Sequence, residues 1–132
     1  VKIMGEKKDG WCGHIMASDL LDNGVIREGS LILENVEMDY VSQKDVGKGG
    51  VRFENAIGSS NTYSRIKDSV IHDGLDWGLS IVSSNNIEII DNTIVGWRAV
   101  GVKIDKTQNI TFTGNLIGDV RARVWTALGM VV

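Results

Sequence analysis

The sequence predicts an all-β fold in which the chain winds into stacked coils of about 23 residues, a right-handed parallel β-helix. Residues 66–71, 89–94 and 112–117 share an apolar start, a polar turn and an isoleucine at this spacing, and residues 78–81 match residues 101–104 at the same spacing. Two independent patterns with one period indicate a repeat architecture. Within each coil, apolar and polar residues alternate over short stretches, which is typical of strands.

Equivalent positions of successive coils predict the core and the turns. Like residues form columns along the axis, because neighbouring strands lie about 4.8 Å apart. The predicted inward columns are Leu79–Val102–Trp125, Ile81–Ile104–Ala127 and Ile71–Ile94–Ile117. Ser69, Asn92 and Asn115 share a turn position, where we expect a structural ladder of hydrogen bonds and tolerance of left-handed geometry. Gly78 and Gly101 share another, which permits positive φ or a close bend.

The upstream part of the chain departs from the regular period. Ile32 and Ile66 begin equivalent patterns, and the interval between them exceeds the period by eleven residues. The spacing assigns six of the extra residues to an outward loop around residues 43–49 and five to a loop around residues 57–61.

The predicted domain organisation is an irregular leading coil over residues 1–30, followed by β-helix coils over residues 31–132. We expect a single domain that is part of a longer stack, because both ends of a coil stack expose strand edges that flanking sequence or a partner should cap.

Composition excludes some classes of partner. The chain has 132 residues, 42% of them hydrophobic, and a net charge of −3 with acids and bases interspersed. Neither a nucleic-acid-binding face nor a polybasic membrane-binding run is evident, so we expect no contact of this segment with either partner. Apolar runs are far shorter than the roughly 20 residues of a membrane helix. Cys12 is the only cysteine, so no internal disulfide can form.

A leucine-rich repeat is the competing fold, because residues 87–94 satisfy part of its consensus and the period lies within its range of lengths. However, the relevant positions are isoleucine and valine, and the second half of each coil has a Gly-led alternating strand where a helix would be required. The β-helix is therefore favoured.

Candidate ligand-binding residues lie on outward positions. A strand face presents side chains at a spacing that a long polysaccharide can follow, and a basic column suits an acidic polymer. The simpler interpretation is that outward residues of any coil are polar. The candidates are Arg52, Ser80, Lys103 and Thr126 in one column, with Arg98 and Arg121 at a neighbouring outer turn.

The titratable residues predict no catalytic residue, no metal site and no cofactor. Several aspartates could serve as calcium ligands or as the acid and base of a glycan-cleaving enzyme, but they form no single cluster in the sequence. His72 has no equivalent in other coils, and His14 has no metal partners at a recognisable spacing. Trp77, Trp97 and Trp125 could stack on sugar rings, but Trp125 shares an inward column, so Trp11 and Trp97 remain as candidate surface aromatics. The aspartates are Asp68, Asp73, Asp76, Asp91, Asp105 and Asp119.

Asn109-Ile110-Thr111 forms one N-glycosylation sequon, at a point where a turn should enter a strand. Such triplets often occur by chance, so the sequon is compatible with secretion without requiring it.

Six short motifs follow one another along residues 11–118. They are Cys12-Gly13-His14-Ile15, Asn35-Val36-Glu37-Met38, Val51-Arg52-Phe53, Ser69-Val70-Ile71-His72-Asp73-Gly74, Gly78-Leu79-Ser80-Ile81 and Ile87-x-Ile89-x-Asp91-Asn92. In this order they resemble the β-helix region of the fibrocystin and fibrocystin-L family.

The resemblance implies a piece of a very large ectodomain on a cilium, flagellum or similar projection, at the extracellular face of the plasma or ciliary membrane and anchored by a membrane helix elsewhere. It implies flanking regions of the same chain, other surface proteins or glycans as partners. The family also includes hyaluronan-degrading surface proteins, which have histidines near the strand that here reads Val51-Arg52-Phe53-Glu54. Arg52 and Glu54 depart from that pattern, so no catalytic residue carries over.

Three functions follow as hypotheses. The first is a non-enzymatic structural or adhesive module of a large extracellular protein. The second is a polysaccharide lyase or glycoside hydrolase acting on acidic polysaccharide, with Lys103, Arg52 or Arg98 neutralising charge and an aspartate as calcium ligand or base. The third is a phage or bacterial adhesin spike, which trimeric assembly would indicate.

Overall fold

The computed structural model describes residues 1–6, 12–59, 61–121 and 128–132. In these ranges the regular structure consists of sixteen strands. None of these residues lies in a helix that could cross a bilayer. The strands are β1 (Lys2–Met4), β2 (Ile15–Ala17), β3 (Leu20–Asp22), β4 (Val25–Arg27), β5 (Ile32–Glu34), β6 (Glu37–Asp39), β7 (Gly49–Glu54), β8 (Ser64–Lys67), β9 (Val70–His72), β10 (Trp77–Val82), β11 (Asn85–Ile90), β12 (Thr93–Val95), β13 (Val100–Asp105), β14 (Gln108–Thr113), β15 (Leu116–Gly118) and β16 (Leu128–Val131).

Three parallel sheets form the body of the protein. Sheet 1 has the order β1-β6-β9-β12-β15, sheet 2 the order β16-β13-β10-β7-β2, and sheet 3 the order β14-β11-β8-β5. From β5 onward, successive strands enter sheets 3, 1 and 2 in turn, so each complete coil contributes one strand to every sheet. The predicted parallel β-helix is confirmed.

The core consists of apolar columns in strict register. Ile71, Ile94 and Ile117 pair across β9, β12 and β15, and Leu79 pairs with Val102 across β10 and β13. All of these except Ile117 have no exposed surface, and Ile117 packs against the same core. Full burial of such a side chain contributes about 1.5–3 kcal/mol, so the repeated columns are the main source of stability.

The last coil is longer than predicted. Val102 pairs with Met130, so this coil exceeds the regular period by five residues. The prediction that Trp125 continues this column is therefore wrong, because Met130 occupies the position. Trp125 itself, together with Thr126 and Ala127, lies outside the described residues.

The upstream coil is one residue shorter than predicted, because Leu33 and not Ile32 pairs with Ile66. Side chains alternate across a strand, so a shift of one residue exchanges the two faces. Leu33 packs against the core, whereas Ile32 is 54% exposed.

The ten extra residues of this coil form two insertions of five residues each. The offset between paired residues is 33 for β6 and β9, 28 for β7 and β10, and 23 for β8 and β11. The prediction assigned six extra residues to the first loop and five to the second. The first number was one too large, because the prediction paired Ile32 and not Leu33 with Ile66.

Side-chain acceptors fasten the first insertion, residues 40–48, to the next coil. The Ser42 hydroxyl accepts hydrogen bonds from the backbone N–H groups of Leu75 and Asp76 at 2.8 and 3.1 Å. In return, the Asp76 carboxylate accepts from the N–H of Gly47 at 2.6 Å. These bonds hold the loop against the turn between β9 and β10.

A single carboxylate, that of Asp19, organises the second insertion and the leading segment. It accepts hydrogen bonds from the N–H groups of Gly29, Ile57 and Gly58 at 2.9, 2.9 and 3.1 Å. Asp19 therefore joins the base of the β3–β4 hairpin to the loop at residues 57–59. Among the described residues up to residue 30, β1 and β2 already belong to sheets 1 and 2, and the antiparallel hairpin leaves the stack.

A ladder of side-chain amides runs along the turn between sheets 3 and 1. Asn115 Oδ1 accepts from the backbone N–H of Asn92, and Asn92 Oδ1 accepts from that of Ser69, both at 3.0 Å. The Ser69 hydroxyl extends the series to the N–H of Val36 at 3.1 Å. Positive φ occurs one position earlier, at Asp68, Asp91 and Gly114, and not at the ladder residues.

The glycines at the start of sheet 2 strands are required by close contact and not by backbone conformation. Gly78 and Gly101 do not have positive φ. A Cβ atom on Gly78 would lie 2.5 Å from the carbonyl oxygen of Gly101 and 2.8 Å from the indole of Trp97. The coils therefore approach too closely for any side chain at this position.

We predict that Asn92→Ala lowers the free energy of unfolding by about 3 kcal/mol. The buried Asn92 side chain accepts from the N–H of Ser69 and donates to the carbonyl of Ile66 and to Asn115 Oδ1, and the substitution removes all three bonds. Urea denaturation measures the change. Asn109→Gly is the matched control, because glycine accepts the positive φ of residue 109 and this exposed asparagine makes one side-chain bond, to Asn86, so the change should cost well under about 1 kcal/mol. Equal losses for both variants would contradict the ladder's structural role.

We predict that Asp19→Ala destabilises the protein by about 1–2 kcal/mol at neutral pH, because three backbone donors lose their acceptor. Burial acts to raise the pKa of Asp19, but the hydrogen bonds from Gly29, Gly58 and Ile57 outweigh it and lower the pKa. The stabilisation is therefore present above the ordinary aspartate pKa of about 3.9 and is lost as the pH falls through the lower folded-state value.

The difference in urea stability between wild type and Asp19→Ala should accordingly shrink in acid. Asp22→Ala, on the same hairpin, is the control and should have little effect at either pH. A difference that does not change with pH would show that the carboxylate charge has no part in holding the loop.

Candidate ligand-binding face

Sheet 2 presents an outward column that differs from the predicted one. Strand register places Met16, Arg52, Ser80, Lys103 and Val131 in this column. Val131 takes the position that was predicted for Thr126. The column therefore has two cations between apolar ends, and it is not basic throughout.

Ser80 is not available to a ligand. It is only 4% exposed, and its hydroxyl accepts a hydrogen bond from the N–H of Gly49 at 3.1 Å. Gly49 of β7, in the preceding coil, lies against this position, and no spacing in the sequence indicates that contact. The prediction of Ser80 as a ligand-facing residue is therefore corrected.

Arg52 has an unsatisfied donor. Its side chain is partly buried, and its Nε atom is buried without a hydrogen-bond partner among the described residues. Buried donors of this kind are rare in folded proteins, because a donor that has lost water and found no acceptor is costly. In the described part of the chain, Arg52 is in none of the ion pairs.

Two further basic residues lie near Arg52. Burial lowers the pKa of His14, and the positive charges of Arg52 and Lys48 lower it further. Lys48 reaches Glu54 at 3.3 Å, which offsets part of its charge. We call His14, Lys48, Arg52 and Lys103 the basic patch. It is the part of the predicted ligand face that the structure brings together.

The two other candidate arginines differ in their availability. Arg121 is exposed and binds the Asp119 carboxylate through Nε at 2.9 Å and through its terminal nitrogen, so its charge is neutralised. Arg98 is partly buried and has no ion pair with a described residue. Burial raises the pKa of the Cys12 thiol, and the positive charge of Arg98 acts in the opposite direction without cancelling that rise.

Asn109 of the sequon is exposed at the start of β14 and has positive φ. Its amide nitrogen donates to Asn86 Oδ1 at 2.7 Å. The side chain is therefore accessible to modification, at the loss of this one surface hydrogen bond.

A second polar group, which the sequence did not predict, lies on the outer face of sheet 1. Asp39 and His72 are paired residues of β6 and β9, and Asp73 follows with positive φ. His72 Nδ1 lies 2.9 Å from Asp73 Oδ2 and 3.9 Å from Asp39 Oδ1, and Nε2 lies 3.2 Å from Glu37 Oε1. Lys2 Nζ lies 2.7 Å from Glu37 and 3.5 Å from Asp39. We call these five residues the histidine cluster.

The charges of the histidine cluster act on one another. Burial would lower the pKa of His72, but hydrogen bonds to Asp73 and Glu37 and the charge of Asp39 outweigh it and raise the pKa. Hydrogen bonds from Lys2 and His72 lower the pKa of Glu37. The ligand atoms of Asp39, His72 and Asp73 all lie within 4.8 Å of one another, close enough to hold one metal ion.

The sequence missed this cluster because two of its acidic members, Glu37 and Asp39, come from the irregular upstream coil. Asp39 pairs with His72 across a coil that is ten residues longer than the regular period, so the repeat does not relate them. Pairing Leu33 instead of Ile32 with Ile66 would have placed Asp39 beside His72. The sequence therefore contained the information needed to find this pair, but the predicted register was wrong by one residue.

The remaining candidate residues have structural environments. Asp76 is buried, and burial raises the pKa of its carboxyl, which accepts hydrogen bonds from the backbone of the first insertion. Trp97 is fully buried in the core, so it cannot stack on a sugar ring. The β3–β4 hairpin, in contrast, exposes Leu20, Leu21 and Ile26, beside a cleft of about 400 Å³.

Comparisons with known proteins agree with the stacked coils. A family model described as a right-handed beta helix region matches residues 22–124. Neither the curated proteins nor the solved structures give a match. A β-helix region fits a structural or binding module as well as an enzyme that acts on polysaccharides. The chain belongs to the right-handed beta helix family.

Proposed function

We propose that the chain is a non-catalytic structural and binding module, which holds an acidic polysaccharide along the outer face of sheet 2. The observation on which this proposal depends is the Arg52 guanidinium, which has a buried Nε without an acceptor and no ion pair with a described residue. A carboxylate or sulfate group of a ligand would provide the opposite charge that no described residue supplies to this guanidinium.

The surroundings of Arg52 favour an anion over a neutral ligand. Lys48 and His14 lie close enough to Arg52 for the two cations to lower the pKa of the histidine. Hydrogen bonds to charged groups contribute about 1.5–3 kcal/mol, more than neutral ones. The basic patch therefore gains most from a ligand that has negative charge.

The geometry of the face favours a chain-like ligand. Lys103 lies two strands from Arg52 in the same column, which corresponds to about 10 Å at ordinary strand spacing. Ser80 between them is buried, so its own side chain does not project between the two cations. A polymer with repeating anionic groups can contact both cations, whereas a small anion contacts only one.

The ends of the stack support a role within a larger assembly. Ile110, Phe112 and Ile117 of β14 and β15 are only partly buried, although their counterparts one coil earlier are at most 1% exposed. In the described part of the chain, no strand pairs with the outer edges of β14 and β15. A further coil, from flanking sequence or from a partner, would complete this core.

The proposed setting is an extracellular cell-surface protein similar to fibrocystin and fibrocystin-L. The order of motifs along residues 11–118 and the accessible sequon at Asn109 support this setting. The enzymatic alternative, a lyase or hydrolase of acidic polysaccharide, uses the same basic patch and differs only in the fate of the ligand.

We predict that the protein binds polygalacturonate, hyaluronate or heparin, and that Arg52→Ala and Lys103→Ala each weaken binding by about 5-fold or more, because each removes one charge-assisted contact. Isothermal titration calorimetry at two salt concentrations measures the effect. The affinity should fall as salt rises, since the contacts are ionic.

Arg65→Ala is the matched control. Arg65 is an arginine on sheet 3 that already binds Glu34 and Glu88 at 3.0 and 2.6 Å, so its loss should leave glycan binding unchanged. Equal binding of a neutral dextran, or undiminished binding by Arg52→Ala, would refute the binding face. Release of unsaturated or shortened sugar products would instead establish the enzymatic alternative.

A further inference from the structure

We propose that Asp39, His72 and Asp73 form a binding site for a divalent transition-metal ion of the Zn²⁺ class on the outer face of sheet 1. This site is separate from the basic patch, which lies on sheet 2, and it does not depend on the proposed glycan binding.

The first argument is the spacing of the ligand atoms. Zinc binds imidazole nitrogen and carboxylate oxygen at about 2.0–2.2 Å in a tetrahedron, which places two ligand atoms about 3.3–3.6 Å apart. His72 Nδ1 lies 2.9 Å from Asp73 Oδ2 and 3.9 Å from Asp39 Oδ1. The two distances lie on either side of the required value, and the two carboxylates lie within 4.8 Å of each other, so shifts of up to about an ångström at the side-chain ends complete the site.

The second argument is the position of Glu37. A metal-ligating histidine nearly always donates its other ring N–H to a carboxylate, a carbonyl or water, which fixes the tautomer and the orientation of the ring. Glu37 Oε1 lies 3.2 Å from Nε2, the nitrogen that faces away from the two aspartates. Nδ1 is thereby left as the metal ligand. An imidazole in this arrangement distinguishes the group from an ordinary cluster of surface acids.

The third argument is that the backbone holds the ligands in place. Asp39 and His72 are register partners in adjacent strands, and their side chains are 13% and 20% exposed. Asp73 has positive φ, and a Cβ on the glycine of the next coil, Gly96, would lie 2.6 Å from its Oδ1. The carboxylate therefore occupies space that the absent side chain leaves.

The mixture of ligands indicates the class of metal. Imidazole nitrogen favours zinc, copper, iron or nickel, whereas calcium and magnesium prefer oxygen alone. Three protein ligands leave a fourth position for water on the exposed side of Asp73, whose side chain is 49% exposed. Lys2, which lies 3.5 Å from Asp39, competes with the ion for negative charge.

The test is titration of the full chain, free of affinity tags, with Zn²⁺, Mn²⁺, Mg²⁺ and Ca²⁺, monitored by calorimetry and by thermal unfolding. We expect one Zn²⁺ per chain and a melting temperature that rises with Zn²⁺ concentration. Mg²⁺ and Ca²⁺ should bind at least about 10-fold more weakly. Asp39→Asn and Asp73→Asn should each weaken Zn²⁺ binding by about 10-fold or more. Asn tolerates the positive φ of residue 73, so this variant should fold.

Two substitutions act indirectly and separate a metal site from a structural cluster. Glu37→Gln should weaken binding by about 10-fold through the orientation of the imidazole. Lys2→Ala should strengthen it by about 2-fold or more, because it removes a neighbouring positive charge. A purely structural cluster would give no gain in affinity from the loss of Lys2.

The controls are His14→Ala and Cys12→Ser, which remove the other imidazole and the only thiol, and neither should change Zn²⁺ affinity. Zn²⁺ should shift the His72 imidazole NMR signals of the wild-type protein, and His72→Ala should abolish specific binding. Absence of Zn²⁺ binding at millimolar concentration would overturn the proposal. Binding that survives His72→Ala but is lost in His14→Ala or Cys12→Ser would overturn it as well.

Discussion

The structure depends on the vertical alignment of apolar side chains between coils. Ile71, Ile94 and Ile117 can share one column only if their backbones pair in register, and the sheet hydrogen bonds enforce that pairing. The hydrophobic effect and the strand ladders therefore impose the same constraint, because a slip of one residue would turn every core side chain toward water. Ile32 and Leu33 illustrate this constraint. Both are apolar, but Leu33 packs against the core and pairs with Ile66, and this pairing sets the register of the coil.

The turns between strands tolerate much more variation than the strands. Insertions of five residues occur on both sides of β7, and side-chain acceptors hold them in place without disturbing the sheets. Ser42, Asp76 and Asp19 act in this way, each accepting two or more backbone hydrogen bonds or linking two segments. Loop closure adds little cost for a few extra residues, so the outer turns are where a solenoid of this kind acquires specific features.

Two outer faces of the same stack have opposite electrostatic character. Sheet 2 presents the basic patch with an arginine donor that lacks an acceptor, and sheet 1 presents three carboxylates around His72. Both arise where the upstream coils lie beside the regular ones, because β6 and β7 bring residues to the faces that the regular repeat does not supply. Ligand-binding potential in this protein therefore lies at the irregular end of the repeat.

The architecture and the regular core could be predicted from the amino-acid sequence alone. The period of the repeat predicted the parallel coils, the isoleucine columns and the positions of Ser69, Asn92 and Asn115, since these depend on local alternation and on repetition, which a sequence displays directly. The folded chain was needed to establish the register of the upstream coil, the replacement of Trp125 by Met130, the burial of Ser80 and the meeting of Asp39 with His72. These features depend on which insertion lies over which strand. Contacts between segments of different length determine this arrangement, and the spacing of residues along the chain does not reveal it.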